Sequence, residues 1–383
     1  MKKTPPDENL IRRTMQRALR LARRGEGWTS PNPMVGAVLI KNGQVIGEGW
    51  HHAAGRPHAE VEAIADCRKR GHDPRGAAMV VTLEPCCHFG RTPPCTEAIS
   101  AAGIREVHVA HQDVNPLVCG NGVACLLDDR IEVRVGVMAR EAMILNEVFA
   151  KWAQTGQPFV VLKAASTLDG KIATASGDSQ WVSGAQSLRY AHQLRHRYDA
   201  IMVGVGTVLA DDPQLTCRLP GRKKVKHPLR IIVDSQLRTP TSAKVVSGDL
   251  PGRTILAVTD RAKPSKIKKM EQLGVEVLVL PADRQGWVDL PALTKTLGKR
   301  DITSLLVEGG GTVLAACLAA EVGDKLSLVL APKIVGGARA ISSFQGELAA
   351  TMDQARRLHD MSVRHLGKDF LLEGYFQPRC LPD

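Results

Sequence analysis

Hydrophobic positions recur along this chain with two periods, one helical and one extended. Over residues 9–24, apolar side chains fall at helical spacing among arginines and predict an amphipathic basic helix. Apolar runs at 35–40 and 45–49 flank Asn42-Gly43, a dipeptide suited to a tight hairpin turn. The pattern then predicts a helix over 59–69, a strand over 78–83 and a helix over 96–102. Strands over 107–110 and 131–137 and a helix over 139–152 follow. Residues 154–158, Gln-Thr-Gly-Gln-Pro, interrupt this rhythm with a polar, turn-forming stretch. It restarts with a buried-strand run at 159–165. Further apolar runs occur at 199–205, 229–234, 253–258, 275–280, 303–307 and 325–331. Strands alternating with helices predict an α/β fold.

Length sharpens the picture. A chain of 383 residues exceeds one ordinary core, so two domains are expected, 1–153 and 154–383. Aromatic residues are only 4%, which leaves aliphatic side chains to build the cores. The net charge is +12, with +3 in residues 1–153 and +9 in the remainder. That surplus suits anionic ligands. No long Lys/Arg block with interleaved aromatics accompanies it, so a nucleic-acid groove is not expected. The N-terminal stretch lacks the apolar core of a signal peptide, and no run approaches the roughly 18 apolar residues of a spanning helix. A cytoplasmic protein without membrane contact is expected. Its nine cysteines would then be reduced, so a cluster among them points to metal or catalysis.

Such a cluster is present. His58-Ala59-Glu60 is followed by Pro85-Cys86-Cys87-His88 and, with eight residues between it and Cys86, by Cys95. Imidazole and thiolates suit zinc, and three protein ligands leave a fourth position for water, whose pKa the metal lowers to about 7. His58, Cys86 and Cys95 are the expected ligands, with Glu60 moving protons. An H-x-E followed by a cysteine pair is the signature of zinc deaminases. Predicted helices begin beside His58 and Cys95, where the helix end favours thiolate. The competing reading is a closed structural site, with Cys87 or His88 as fourth ligand.

The long loop between the cysteines narrows this further. Residues Thr82-Leu83-Glu84-Pro85-Cys86-Cys87-His88-Phe89-Gly90-Arg91-Thr92-Pro93-Pro94-Cys95, with Pro31-Asn32-Pro33-Met34-Val35-Gly36, His51 and Ala54-Gly55, resemble a known family. It is the family of bifunctional riboflavin-biosynthesis deaminase–reductases. The match spans nearly the whole first domain. Cys87 departs from it, standing where a small polar residue is usual, and so does the looser loop Val118-Cys119-Gly120-Asn121-Gly122. The resemblance implies a cytidine-deaminase-like α/β/α domain. It also implies hydrolytic deamination of 2,5-diamino-6-(5-phosphoribosylamino)pyrimidin-4-one. Asn32, His51, His88, Arg91, Thr92, Asp113 and Asn115 match its pocket positions. An Asn amide suits a pyrimidine edge, and an Arg suits a phosphate.

The second half has no G-x-G-x-x-G fingerprint. It has two strand–glycine–helix junctions, at 200–209 and 305–314, whose backbone N–H groups suit a phosphate. Ser166-Thr167-Leu168-Asp169-Gly170-Lys171, Ser179-Gln180-Trp181, Asp211-Asp212-Pro213-Gln214-Leu215-Thr216 and Val307-Glu308-Gly309-Gly310 resemble the reductase half of the same family. This resemblance implies a dihydrofolate-reductase-like α/β domain that uses NADPH to reduce ribosyl to ribityl. Ala165, Trp181, Thr207, Asp211, Ser235, Gly310, Gly311 and Thr312 match its cofactor positions. Ser179, Arg195, Leu215, Arg218 and Glu308 match its substrate positions. Arg195 and Arg218 suit a phosphate clamp, and Lys163 and Asp211 are candidates for charge control near the reacting carbon.

Zn2+ and NADPH are thus the expected cofactors, a phosphoribosyl-pyrimidine the substrate and a homo-oligomer the expected assembly. Three other readings compete: a nucleic-acid base deaminase with a basic accessory domain, a non-catalytic zinc protein, and a chain with one degenerate half.

Overall fold

A computed structural model describes residues 7–89, 93–115, 119–222 and 224–379. Its contacts divide the chain between Gly156 and Gln157 into two units.

The first unit opens with α1 (Glu8–Ala22), whose start is capped by the Asp7 side chain accepting from the Asn9 N–H. The hairpin of β1 (Gly36–Lys41) and β2 (Gln44–Trp50) turns at Asn42 and Gly43, with φ of 51° and 78°. Both residues take the left-handed backbone that a two-residue turn of this kind requires. There follow α2 (Ala59–Lys69), β3 (Ala78–Val81), α3 (Cys95–Ala101), β4 (Glu106–Val109), α4 (Asn121–Asp128) and β5 (Glu132–Val135). The strands form one sheet in the order β2-β1-β3-β4-β5, with β3, β4 and β5 parallel. Alternation along β1 sends Ala37 and Leu39 to one face and Val38 and Ile40 to the other. The first pair packs with Ala59, Ala63, Ile99 and Leu126 of α2, α3 and α4. The second packs with Met15, Ala18 and Leu19 of α1 and with Ala142 and Leu145. Helices on both faces make this an α/β/α layer.

Two sequence expectations change here. The helix expected over 139–152 is two helices, α5 (Ala139–Leu145) and α6 (Glu147–Thr155). Asn146 breaks them because its buried amide is spent elsewhere: Oδ1 accepts from Met34 N–H at 2.8 Å and Nδ2 donates to Met34 O at 3.0 Å. The side chain pairs with that backbone as a neighbouring strand would. Helix α4 was not expected at all, because it starts from the turn-like sequence Gly120-Asn121-Gly122.

The second unit is built on a nine-stranded sheet. Its strands are β6 (Phe159–Thr167), β8 (Ala200–Gly204), β9 (Leu229–Val233), β10 (Thr254–Val258), β11 (Glu276–Val279), β12 (Ser304–Glu308), β13 (Lys325–Ala331), β15 (His359–Leu366) and β16 (Asp369–Tyr375). The order is β11-β10-β9-β8-β12-β6-β13-β16-β15. The first seven in that order run parallel, and the hairpin β15–β16 closes one edge antiparallel. Short strands β7 (Lys171–Ala173) and β14 (Ile341–Ser342) pair separately. The helices are α7 (Ala185–Arg197), α8 (Val205–Asp211), α9 (Pro264–Gln272), α10 (Leu290–Gly298) and α11 (Gly311–Ala319). Leu293 and Leu297 of α10 and Leu314 and Cys317 of α11 pack on Val160, Leu162, Met202 and Leu305 of the sheet. Among the described residues, no helix is long and apolar enough to cross a membrane.

Candidate functional site

In the first unit, β3 and β4 are parallel, so the loops after them open at the same sheet edge, where open α/β folds bind ligands. The loop after β3 carries Cys86, and the loop after β4 carries Asp113. His58 is the residue on which α2 starts, held extended at φ −78° and ψ 166°. Cys95 opens α3, with Pro94 just before it. Three segments far apart in the chain thereby bring His58 Nδ1 and the Cys86 and Cys95 sulfurs within 4.8 Å of one another.

The spacing fits zinc. His58 Nδ1 lies 3.2 Å from Cys95 Sγ and 3.5 Å from Cys86 Sγ. Tetrahedral bonds of roughly 2.0 Å to nitrogen and 2.3 Å to sulfur place such atoms about 3.5 Å apart. Among the described residues the cluster has three members, and Cys87 and His88 are not part of it. That leaves one position open rather than a closed sphere. The Cys95 N–H points at Cys86 Sγ from 3.4 Å, in keeping with a thiolate there. The Cys86 thiol is pulled down to about 4, chiefly by its hydrogen bond with Cys95, against the push of burial. The same bond, with burial, drives the Cys95 thiol up. Without metal the two sulfurs thus share one proton, which a divalent cation would displace.

Glu60 lies one helical residue beyond Ala59 and is only 3% exposed. Burial, with the Cys86 charge, pushes its carboxyl up to about 7, against the pull of His58. Its Oε2 is buried with no hydrogen-bond partner. A buried carboxyl near neutrality with a free oxygen can both take and give a proton.

Around this centre, Asn32 Nδ2 and His51 Nε2 lie 3.1 Å apart, and His51 Nδ1 faces Pro57 O at 3.1 Å. The His51 ring stands edge-on to His58, with centroids 5.2 Å apart. Burial lowers the His51 pKa, against the pull of its hydrogen bond to Pro57 O. Asp113 is buried and its carboxyl is pushed up to about 6 by that burial, while Oδ1 accepts from Asn115 N–H at 2.8 Å. His88 is exposed. Arg91 and Thr92 lie outside the described residues.

The second unit sets its candidate residues along one row. Ala165 lies near the end of β6, Gly310–Thr312 follow β12, Thr207 follows β8, and Ser235 follows β9. These four strands are adjacent and parallel. At about 4.8 Å per strand the row spans about 14 Å, a length that suits an extended dinucleotide. The two glycine junctions meet there, since a Cβ on Gly310 would lie 3.2 Å from Thr207 Oγ1. Gly310 also has φ 75°, which disfavours any side chain. Ser235 is buried, and its Oγ accepts from Val288 N–H at 3.0 Å. Asp211 ends α8 on the surface. Trp181 is exposed, its carbonyl accepting from Lys333 Nζ at 2.7 Å, and Ser179 lies two residues before it.

Beside this row sits a charged knot. Glu308 ends β12 in register with Lys163 of β6, and Lys163 Nζ lies 3.3 Å from its Oε1. Arg195 of α7 donates from Nε to Glu308 Oε2 at 2.8 Å and from a terminal nitrogen to Thr216 O at 3.2 Å. Burial pushes the Glu308 carboxyl up, but Arg195 and Lys163 outweigh it and hold the group at about 2. Arg218 reaches Thr216 Oγ1 at 2.9 Å and Gln214 Oε1 at 3.0 Å, which places it next to Arg195. Leu215 is buried between those partners in sequence, at φ 54°. His192, three residues before Arg195 on α7, accepts from Arg218 N–H through Nδ1 at 3.1 Å. Burial and the two arginines hold it down to about 4, hence neutral.

Sequence reasoning did not single out His192 or Glu84. The helical spacing of His192 from Arg195 was available as a sign of the first. Glu84 stands two residues before Cys86, and its partners lie far along the chain.

Comparison with known proteins agrees with this geometry. The model of the cytidine and deoxycytidylate deaminase zinc-binding region matches residues 8–111. That of the RibD C-terminal domain matches residues 158–372. The riboflavin biosynthesis protein RibD of Actinobacillus pleuropneumoniae is 44% identical over 360 residues, covering 94% of this chain and 93% of the relative. The RibD of Escherichia coli is 40% identical over 372 residues, covering 94% and 97%. A solved diaminohydroxyphosphoribosylaminopyrimidine deaminase/5-amino-6-(5-phosphoribosylamino)uracil reductase of Thermotoga maritima superposes with a TM-score of 0.84. It is 38% identical and covers 96% of this chain and 99% of its own. RibD of Acinetobacter baumannii gives a TM-score of 0.85 at 36% identity, with coverage of 96% and 99%.

Proposed function

Because the chain belongs to the RibD family of riboflavin-biosynthesis enzymes, which join a zinc-dependent deaminase to an NADPH-dependent reductase, we propose a role for each site residue. The deaminase occupies the first unit and the reductase the second. The observation that carries the reading is the convergence of His58, Cys86 and Cys95 on one point, with the unpartnered Glu60 oxygen beside it.

In the first unit, His58, Cys86 and Cys95 hold zinc, which supplies a water ionisable near neutral pH. The substrate is 2,5-diamino-6-(5-phosphoribosylamino)pyrimidin-4-one. Glu60 takes a proton from the attacking water and passes it to the departing amine, so that water enters and ammonia leaves. Asn32, with His51 behind it, meets the pyrimidine edge, and Asp113 and Asn115 line the wall after β4. His88, Arg91 and Thr92 complete the substrate contacts.

In the second unit, NADPH when bound would supply a hydride for C1′ of the ring-opened ribosylamine, and a proton from solvent would go to its nitrogen. Ala165, Trp181, Thr207, Asp211, Ser235, Gly310, Gly311 and Thr312 hold that cofactor along the strand ends. Arg195 and Arg218 bind the substrate phosphate, and Ser179, Leu215 and Glu308 contact the rest of the substrate. Glu308 keeps Arg195 and Lys163 in place and never changes its charge. The reading includes a homo-oligomer acting in the cytoplasm, where the zinc thiolates stay reduced.

Two variants test it. Gly310→Val puts a branched side chain at a left-handed position against Thr207. It should still release ammonia yet accumulate the deaminated ribosyl product when NADPH is present. Glu60→Gln should reduce that product when it is offered directly. Product masses identify each outcome. A folded, zinc-loaded Gly310→Val chain that lost both activities would contradict the assignment of separate sites.

A further inference from the structure

Glu84 has no role in the reaction proposed above, yet it is only 4% exposed and gathers three backbone donors. Its Oε2 accepts from Asp113 N–H at 2.9 Å and from Gly120 N–H at 3.0 Å, and its Oε1 accepts from Val123 N–H at 2.9 Å. Its own N–H donates to His111 O at 3.1 Å. Among the described residues no Lys or Arg pairs with it, so these N–H groups carry the balance of its charge. Two of them belong to the start of α4, which has no side-chain cap of its own. A carboxylate there is favoured by the helix dipole. Gly122 permits the approach: a Cβ on it would lie 2.0 Å from Pro85 O, as well as 3.1 Å from Glu84 Cγ and 3.2 Å from Oε1.

The placement matters because of what lies on either side. Two residues after Glu84 comes Cys86, a member of the zinc-type cluster. At the far end of the hydrogen bonds is Asp113, whose Oδ1 holds Asn115 N–H. One buried side chain thus ties the metal-ligand segment to the wall after β4 and to the helix behind it. We infer that Glu84 is a positioning residue that sets the Asp113–Asn115 wall at its working distance from the metal cluster. The inference rests on the reading that this wall touches the pyrimidine substrate.

Glu84→Gln keeps the shape but replaces one acceptor oxygen with an NH2 group that faces N–H donors. A hydrogen bond to a charged group lost in this way corresponds to a change of about tenfold to hundredfold. That change should fall on KM for the diaminopyrimidine phosphoribosyl substrate, with kcat within about threefold and one zinc per chain by metal analysis. Val123→Pro removes the Val123 donor and sets the proline ring carbon where that N–H pointed, against Glu84 Oε1, so it displaces the carboxylate from the helix side. It should raise KM at least as much as Glu84→Gln, and it decides the matter if Glu84→Gln does not fold. Asn115→Ala separates the two levels of the argument. If it raises KM while folded Glu84→Gln or Val123→Pro leaves KM unchanged, the role of Glu84 is overturned alone. If Asn115→Ala itself leaves KM unchanged, the reading of the wall is overturned. Loss of zinc, or of kcat at constant KM, in Glu84→Gln would also overturn the inference, since either places Glu84 in the metal or chemical machinery.

Discussion

Each unit buries a glutamate beside its reacting groups, Glu60 in the first and Glu308 in the second, and the two are pushed in opposite directions. Glu60 is 3% exposed and Glu308 is 9% exposed, so burial alone should raise both. In metal-free protein Glu60 does rise, to about 7, because burial is reinforced by the Cys86 charge and opposed chiefly by one imidazole, His58. Glu308 falls to about 2, because Arg195 and Lys163 close on its two oxygens. The difference shows that neighbouring cations, not depth, decide what a buried carboxyl can do. A carboxyl near 7 exchanges protons at working pH. One near 2 is a fixed anion that organises its partners.

The largest consequence is chemical. Glu60→Gln should lower deaminase kcat by about 10²–10⁴-fold while the reductase is untouched. An ammonia assay on zinc-loaded protein reads this directly. Glu308→Gln should act on stability instead. It leaves Arg195 and Lys163 buried beside a neutral amide, and breaking such a group costs about 3–5 kcal/mol. Denaturant unfolding of the second unit measures it.

The two glutamates should also give stability slopes of opposite sign. An unfolded glutamate titrates near about 4.3. Glu308 is held below that, so the stability it gives is complete above pH 4.3 and lost as pH falls towards 2. Glu60 in metal-free protein is held above it. Its contribution is complete below pH 4.3 and lost as pH rises through 7. Each swing amounts to roughly 3 kcal/mol. Metal-free Glu60→Gln should therefore match the native chain near pH 4 and exceed it near pH 8. Glu308→Gln should fall short at pH 7 and converge near pH 2. Unfolding free energies across pH for the three proteins decide it, and parallel curves would break the comparison.

The smallest effect sharpens it. Lys163 stands 3.3 Å from Glu308 while Arg195 stands at 2.8 Å with a second anchor on Thr216. Lys163→Met, which keeps the apolar stem, should therefore cost only about 1–2 kcal/mol. A loss as large as that of Glu308→Gln would mean that the lysine, not the arginine, holds the carboxylate.

The two sites were not equally legible in the sequence. His58 and Glu60 are neighbours on one helix start, and Cys95 opens another, so local pattern and zinc chemistry sufficed. The knot of Lys163, Arg195 and Glu308 comes from β6, α7 and β12. Only the pairing of β6 with β12 creates it, and family resemblance named its members without showing their contact. The bonds of Glu84 to Asp113, Gly120 and Val123 were hidden for the same reason. In the fold, the alternating strands and helices were readable by period, and the Asn42-Gly43 turn by dipeptide. Helix α4 was not, because its Gly-Asn-Gly start reads as a loop until an external carboxylate caps it. Nor was the break at Asn146, which depends on a partner, Met34, that is 112 residues away.

The central claim is that surroundings make Glu60 a proton carrier and Glu308 a fixed charge. Its direct test is carbon-13 NMR titration of side-chain carboxyls in metal-free protein, with Glu60→Gln and Glu308→Gln identifying the two resonances. The expected result is a Glu60 carboxyl that titrates near 7 and a Glu308 carboxyl that does not titrate above about pH 3. Two carboxyls titrating together near the ordinary glutamate value would contradict it.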